Sequence, residues 1–170
     1  MNHSERLRRT LKLCCHCLRN LAFYRAGWRG SQFRSNRQFL INANSNCLDI
    51  AVLEWCKLFA DRDGKHHWKQ LISNDTEFIY DLCKGVGISN FQFRKYASVM
   101  LRYRNKFVAH LDDDRVAQIP RLRIARKSTA YLYDYLRGTP EAKTCLPDLK
   151  ENAKQYYAFM YRNAHNEYRK

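Results

Sequence analysis

The residues best suited to chemistry in this chain are an arginine, an asparagine and a histidine that lie close together: Arg104, Asn105 and His110. A histidine can move a proton near neutral pH, and the planar guanidinium of an arginine can hold phosphate oxygens. The asparagine amide can orient a phosphate or the histidine through hydrogen bonds. We therefore predict that these three residues are catalytic and that their substrate contains a phosphodiester.

Arg104 stands where the surrounding helical pattern calls for an apolar side chain. Ser89 and Gln92 have the spacing of a capping box, which predicts a helix from about residue 90 to Asp114. Apolar residues recur along it at helical spacing, namely Phe93, Ala97, Met100, Phe107 and Leu111. Because Arg104 interrupts this stripe, its guanidinium needs a partner or a ligand when it leaves water.

The elements that must position these residues are predicted to be helices. Only three prolines and six glycines interrupt the 170 residues, so long helices are favoured over many short strands. Besides the central helix, apolar spacing and end signals predict five helices. Their ranges are Ser4 to about Gly27, about Arg37 to Ala60, Asn74 or Asp75 to the closing glycines Gly85 and Gly87, Pro120 to Gly138, and Pro147 onward. We predict one all-α domain spanning residues 1–170, a bundle of five to six helices, with a basic loop at 28–36.

The charge of the chain indicates an anionic partner. Thirty-one Lys and Arg against sixteen Asp and Glu leave a formal net charge of +15, which makes RNA the first partner to consider. The predicted RNA-binding residues are Arg102, Lys106, Arg121 and Arg123. The last two open a helix where the macrodipole favours anions, so helix stability does not account for them.

Several other features were weighed as sites. No apolar run is long enough to span a bilayer and no signal peptide is visible, so we expect a cytoplasmic protein without a membrane partner. Metal binding by the CCHC run at 14–17 competes with thiols packed beside a surface histidine, and we favour packing, without a disulfide framework. A metal site at Asp112–Asp114 and a catalytic role for His66 and His67 are weaker alternatives. We predict neither metal nor cofactor.

The string RNKFVAH at 104–110 resembles the motif of the HEPN superfamily, an arginine and a polar residue followed by a histidine. The wider string RNKFVAHLD and the segment LEWCKLFADRDGKHHW resemble the abortive-infection branch of that superfamily. The resemblance implies a small helical homodimer in which Arg104 and His110 meet across the interface. It also implies a metal-independent ribonuclease in phage defence, a toxin that an antitoxin or other defence partner can control.

Helix geometry supports the need for a second subunit. On an ideal α-helix, six residues turn about 600°, which places Arg104 and His110 roughly 120° apart and about 9 Å along the axis. Two such helices related by a two-fold axis can complete each other's site. His110 is then expected to deprotonate an RNA 2′-hydroxyl, and Arg104 to stabilise the phosphorane on the path to a 2′,3′-cyclic phosphate. In the alternative interpretation, Arg104 and His110 are satisfied inside the bundle, and the protein is a noncatalytic module that binds RNA or a partner.

Overall fold

A computed structural model describes residues 1–109, 118–146 and 151–170, and most of these residues are helical. Its α-helices are α1 (His3–Ala26), α2 (Gln38–Phe59), α3 (Asp75–Val86), α4 (Asn90–Tyr103), α5 (Leu122–Arg137), α6 (Pro140–Cys145) and α7 (Ala153–Glu167). A 3₁₀ turn spans Trp68–Gln70, a π-helical segment spans Arg104–Ala109, and the strands β1 (Trp28–Arg29) and β2 (Gln32–Phe33) form an antiparallel hairpin. The all-α class is confirmed.

The core forms around α1, which packs against α2, α5 and α7. Leu7, Leu11 and Leu18 are buried at helical spacing on the face of α1 that meets these helices. On α2, Trp55 stacks on Phe59 and its indole nitrogen donates a hydrogen bond to Ser128 Oγ of α5 at 2.9 Å. The end of α2 is thereby fixed against the rest of the bundle.

Several predicted boundaries were wrong. Ser4 lies inside α1, and the side chain of Asn2 caps this helix by accepting a hydrogen bond from the Glu5 amide. The last helix begins at Ala153, where Asn152 and Gln155 form a capping box. Pro147, Asp148 and Leu149 lie outside the described residues.

The segments that flank α5 and join α1 to α2 also differ from the prediction. Pro120 precedes α5, which starts at Leu122. The short helix α6 was not predicted, although Thr139 caps it and Pro140 occupies its first turn. The basic loop at 28–36 contains the β1–β2 hairpin, and Trp28 of this hairpin donates a hydrogen bond to Asn44 on α2 at 3.1 Å.

The start of α4 agrees with the sequence prediction, and its end does not. Ser89 and Gln92 make both hydrogen bonds of a capping box. The α-helix ends at Tyr103, and the chain continues as a π-helix to Ala109 instead of as one regular helix to Asp114. No helix within the described ranges has the length and apolar character that crossing a membrane requires.

Candidate active site around Arg104

The guanidinium of Arg104 pairs with the carboxylate of Asp61. Its Nη1 donates hydrogen bonds to Asp61 Oδ1 at 2.6 Å and to Oδ2 at 2.8 Å. The two side chains are 22% and 31% exposed, so the pair lies at the surface of the bundle and is partly shielded from water. The predicted need of Arg104 for a partner is met by a residue that was not predicted as part of the site.

Asp61 is held in place by the end of α2 and by a tight turn. The backbone amides of Ala60 and Asp61 both donate to the Cys56 carbonyl at 2.9 Å, and the Gly64 amide donates to the Asp61 carbonyl at 2.8 Å. A Cβ at Gly64 would lie 2.8 Å from the same carbonyl oxygen, so the turn requires glycine. A carboxylate at a helix C-terminus is unfavourable for the macrodipole, and the ion pair with Arg104 compensates for this.

The remaining nitrogens of Arg104 differ in their contacts. Nε donates a hydrogen bond to Oδ1 of the exposed Asn105 at 3.1 Å, so this asparagine orients the guanidinium directly. Among the described residues, none accepts a hydrogen bond from Nη2. The arginine is thus held on two sides, by Asp61 and by Asn105.

The π-helical segment begins at Arg104 itself. A π-helix forms i→i+5 hydrogen bonds, and short π segments within helices occur frequently at functional sites. This wider helix turns less per residue than the ideal α-helix on which the angle of about 120° between Arg104 and His110 was predicted. His110 and Asp112–Asp114 lie outside the described residues.

A buried thiol forms the inner side of the site. Burial raises the pKa of Cys56 to about 12, against the field of Arg104, which lowers it. The thiol therefore stays protonated at neutral pH and does not act as a nucleophile. Arg104 lies between this apolar interior and solvent.

A recess next to Arg104 follows the same stripe of α4. It has a volume of about 450 Å³, with Phe93 and Leu101 among its apolar lining residues and Arg62 and Arg94 among its cations. Leu101 is one helical turn before Arg104, and Arg62 directly follows Asp61. Sequence reasoning missed both Asp61 and this recess.

Three of the four predicted RNA-binding residues line one groove. Arg102 and Lys106 contribute from α4 and the π segment, and Arg121 contributes from the start of α5. Lys95 joins them, two helical turns before Arg102 on the same face. Arg123 is exposed but does not line this groove. The seven-residue spacing of Lys95 and Arg102 is a signal in the sequence that could have identified the fourth cation.

Two other cations at the start of α5 have contacts within the bundle. Lys127 Nζ donates to the carbonyls of Gly85 and Val86 at 3.4 and 3.2 Å, which satisfies carbonyl groups at the C-terminus of α3. The guanidinium of Arg126 lies over the Tyr157 ring, 5.1 Å from its centroid.

The weaker candidate sites have structural roles or no ligand cluster. His67 is 2% exposed, and its Nε2 lies 3.3 Å from the Phe59 carbonyl, so this ring packs inside the bundle. Cys14 and Cys17 are buried and free, beside the exposed His16. Within the described parts of the chain, no three His, Cys, Asp or Glu residues cluster as metal ligands do.

Comparisons with known proteins add no relative to this description. No protein-family model, no curated protein sequence and no solved structure matches the chain.

Proposed function

We propose that this protein is a metal-independent endoribonuclease of HEPN type, active as a homodimer, with Arg104, Asn105 and His110 as its catalytic residues. We further propose that it acts as a toxin or effector in phage defence, under the control of an antitoxin or another defence partner. The observation that carries the proposal is the state of Arg104. This arginine is anchored by Asp61 and Asn105, is partly exposed, and has Nη2 without a partner among the described residues.

The proposed reaction is an in-line transfer within the RNA strand. His110 of one subunit takes the proton of a 2′-hydroxyl, and the oxygen attacks the adjacent phosphorus. The bond from phosphorus to the 5′-oxygen breaks, and His110 of the other subunit donates a proton to that oxygen. The products are a 2′,3′-cyclic phosphate and a 5′-hydroxyl.

Arg104 is suited to the charge that develops in this reaction. The phosphorane gains negative charge on its nonbridging oxygens, and a guanidinium that is already oriented stabilises that charge without reorganising. Asp61 and Asn105 hold Nη1 and Nε, which leaves Nη2 to donate to a phosphate oxygen. An arginine can offer this arrangement in a fixed plane, whereas a lysine cannot.

The alternative is a noncatalytic module that binds RNA or a protein partner through its basic surface. The observation that favours it is the same ion pair, because Asp61 already gives Arg104 the partner that a structural role requires. The two functions differ in whether an RNA strand is cut.

The test is cleavage of total RNA and of a defined oligonucleotide in excess EDTA. We expect the wild-type protein to cleave both, and Arg104→Ala, Arg104→Lys and His110→Ala to lose nearly all activity. An oligonucleotide with 2′-deoxyribose at the cut position should stay intact. Mass spectrometry should find cyclic phosphate ends, which are lighter than 3′-phosphate ends by one water.

Matched controls are Arg8→Ala and His16→Ala, which remove the same residue types from exposed positions on α1. Both should cleave like the wild type. RNA that is shifted in a gel but never cut by the wild-type protein would support the noncatalytic module. Cleavage that EDTA abolishes would contradict the proposed mechanism.

A further inference from the structure

We infer that the groove between α4 and the start of α5 binds the sugar-phosphate backbone of single-stranded RNA. The inference rests on the proposed function for the choice of RNA as the polymer. It assigns substrate binding to a surface that is distinct from the stripe of α4 that carries Arg104.

The groove has the electrostatic character of a polyanion site. Its volume is about 1010 Å³, and its cations are Lys95, Arg102, Lys106 and Arg121. None of the described residues that line it is acidic. In contrast to Arg104, whose charge Asp61 balances, Lys95, Arg102 and Arg121 meet no acidic side chain among the described residues that line the groove.

The cations are arranged along the groove and on both of its sides. Lys95 and Arg102 lie two turns apart on α4, which separates them by about 10 Å and allows contact with more than one phosphate. Arg121 faces them as the N-cap residue of α5, a helix without a side-chain cap or an acidic residue in its first turn. The positive end of the α5 macrodipole therefore has the same sign as the side chains around it.

The rest of the lining favours a single strand over a duplex. Ile88, Val99 and Ile124 give the groove apolar surface beside its cations. A single strand can place its bases on such surface while its phosphates meet the cations, whereas a duplex turns its bases inward. A concave groove also suits a strand better than a bilayer, which presents a flat surface.

The experiment measures binding without cleavage. A fluorescent single-stranded DNA of twenty nucleotides has the same phosphates but lacks the 2′-hydroxyl, so it reports on binding without cleavage. The variant Lys95→Gln/Arg102→Gln/Arg121→Gln leaves Lys106 intact and is compared with the wild type by anisotropy at several salt concentrations. We expect at least tenfold weaker binding and a salt slope, log K against log[salt], that is smaller by about 2, since each phosphate contact contributes about 0.7.

The control is Arg8→Gln/Lys12→Gln/Arg162→Gln, which removes the same charge from exposed positions on α1 and α7. Its affinity should stay within about threefold of the wild type, and its salt slope should stay within about 0.7. Equal losses in the two triple variants would overturn the inference, because net charge would then explain binding. The inference would also be overturned if the wild-type protein bound duplex DNA more tightly than single-stranded DNA. Tighter binding of anionic vesicles than of either DNA would overturn it too.

The outcome is separable from that of the proposed function. The DNA strand lacks the 2′-hydroxyl that the proposed reaction needs, so its binding is measured whether or not the protein cuts RNA. If the wild type never cuts RNA but the groove variant loses binding and slope, the groove assignment stands and the nuclease proposal fails. If the wild type cuts RNA but the groove variant binds the DNA strand as tightly as the wild type, the nuclease proposal stands and the groove assignment fails.

Discussion

The carboxylate of Asp61 is expected to contribute little to the free energy of unfolding and much to the position of the Arg104 guanidinium. Both side chains are partly exposed, and ion pairs of this kind contribute about 0.2–1 kcal/mol. The same contact fixes the direction in which the guanidinium points. Displacing a catalytic group by about 1 Å can lower a rate by about 10²-fold.

We therefore predict that Asp61→Asn lowers RNA cleavage by about 10²-fold while it changes the free energy of unfolding by less than about 1 kcal/mol. The measurements are single-turnover cleavage and urea denaturation. Asp63→Asn, an exposed aspartate in the same turn, is the matched control and should change neither value. Full activity in Asp61→Asn would show that Asp61 does not position Arg104.

His67 makes the stability of the fold depend on pH. Burial lowers the pKa of His67, and the charges of Lys69 and Arg62 lower it further, against the hydrogen bond to Phe59. The Lys69 amide donates to Nδ1 at 3.3 Å, while Nε2 faces the Phe59 carbonyl, so the folded state holds the neutral ring. A proton on Nδ1 would oppose the amide hydrogen.

Below the ordinary histidine pKa of about 6.5, the unfolded chain binds a proton that folded His67 does not, so stability falls as the pH falls. We predict a lower urea midpoint at pH 5.5 than at pH 7.5. His67→Gln should have a smaller difference between these two midpoints. His16→Gln, at an exposed position of α1, controls for the loss of one histidine. An unchanged difference in His67→Gln would refute this assignment.

At the scale of elements, α4 joins a regular start to an irregular end. Its capping box fixes the first turn by local contacts, and its π segment begins fifteen residues later at Arg104. At 1.5 Å per residue, the two features lie about 22 Å apart. The stability of the helix start and the geometry of the site are therefore expected to respond separately to mutation.

Ser89→Ala removes the side-chain cap of α4 and should lower the free energy of unfolding by about 1 kcal/mol. Ser98→Ala, in the interior of the same helix, loses a bond from its hydroxyl to the Arg94 carbonyl and should change it by no more than about 0.5 kcal/mol. Urea denaturation measures both. Cleavage by folded Ser89→Ala should match the wild type, and a large loss would mean that the cap also controls the site.

At the scale of the whole molecule, the proposed site needs two chains. If Arg104 of one subunit works with the base His110 of the other, a heterodimer of Arg104→Ala and His110→Ala retains one such pair. It lacks the second His110, which protonates the leaving oxygen. Random exchange of subunits makes half of the dimers mixed. The two inactive variants should therefore recover measurable cleavage when they are mixed, because an isologous interface repeats every contact. The recovery should stay below about a quarter of wild-type activity, since water must replace the missing acid.

The measurement is RNA cleavage after co-refolding of the two variants, with each variant alone as the control. A mixture that stays inactive while light scattering finds dimers would contradict a site in which Arg104 of one subunit works with the base His110 of the other. A protein that is monomeric and cleaves RNA would exclude the shared site altogether.

Local signals in the sequence were sufficient for some of these features. The capping box of α4 was read correctly because Ser89 and Gln92 act within one turn of each other. The spacing of apolar residues predicted the core helices, and the position of Arg104 in an apolar stripe predicted that it needs a partner. The start of α1 was misplaced because Asn2 and Ser4 are both good caps at nearly the same place.

By itself, the sequence determined the helical class, the positive charge and the residues that we propose to act on a phosphate, because these depend on composition and on spacing within single helices. Only the tertiary structure decided that Asp61, 43 residues before Arg104, is its partner, and that Lys95, Arg102 and Arg121 share one groove. It also decided that Asn44 is buried, whereas Asn42 and Asn46 face solvent. These pairings depend on how helices pack against each other, and no periodicity along one helix specifies which residue of another it will meet.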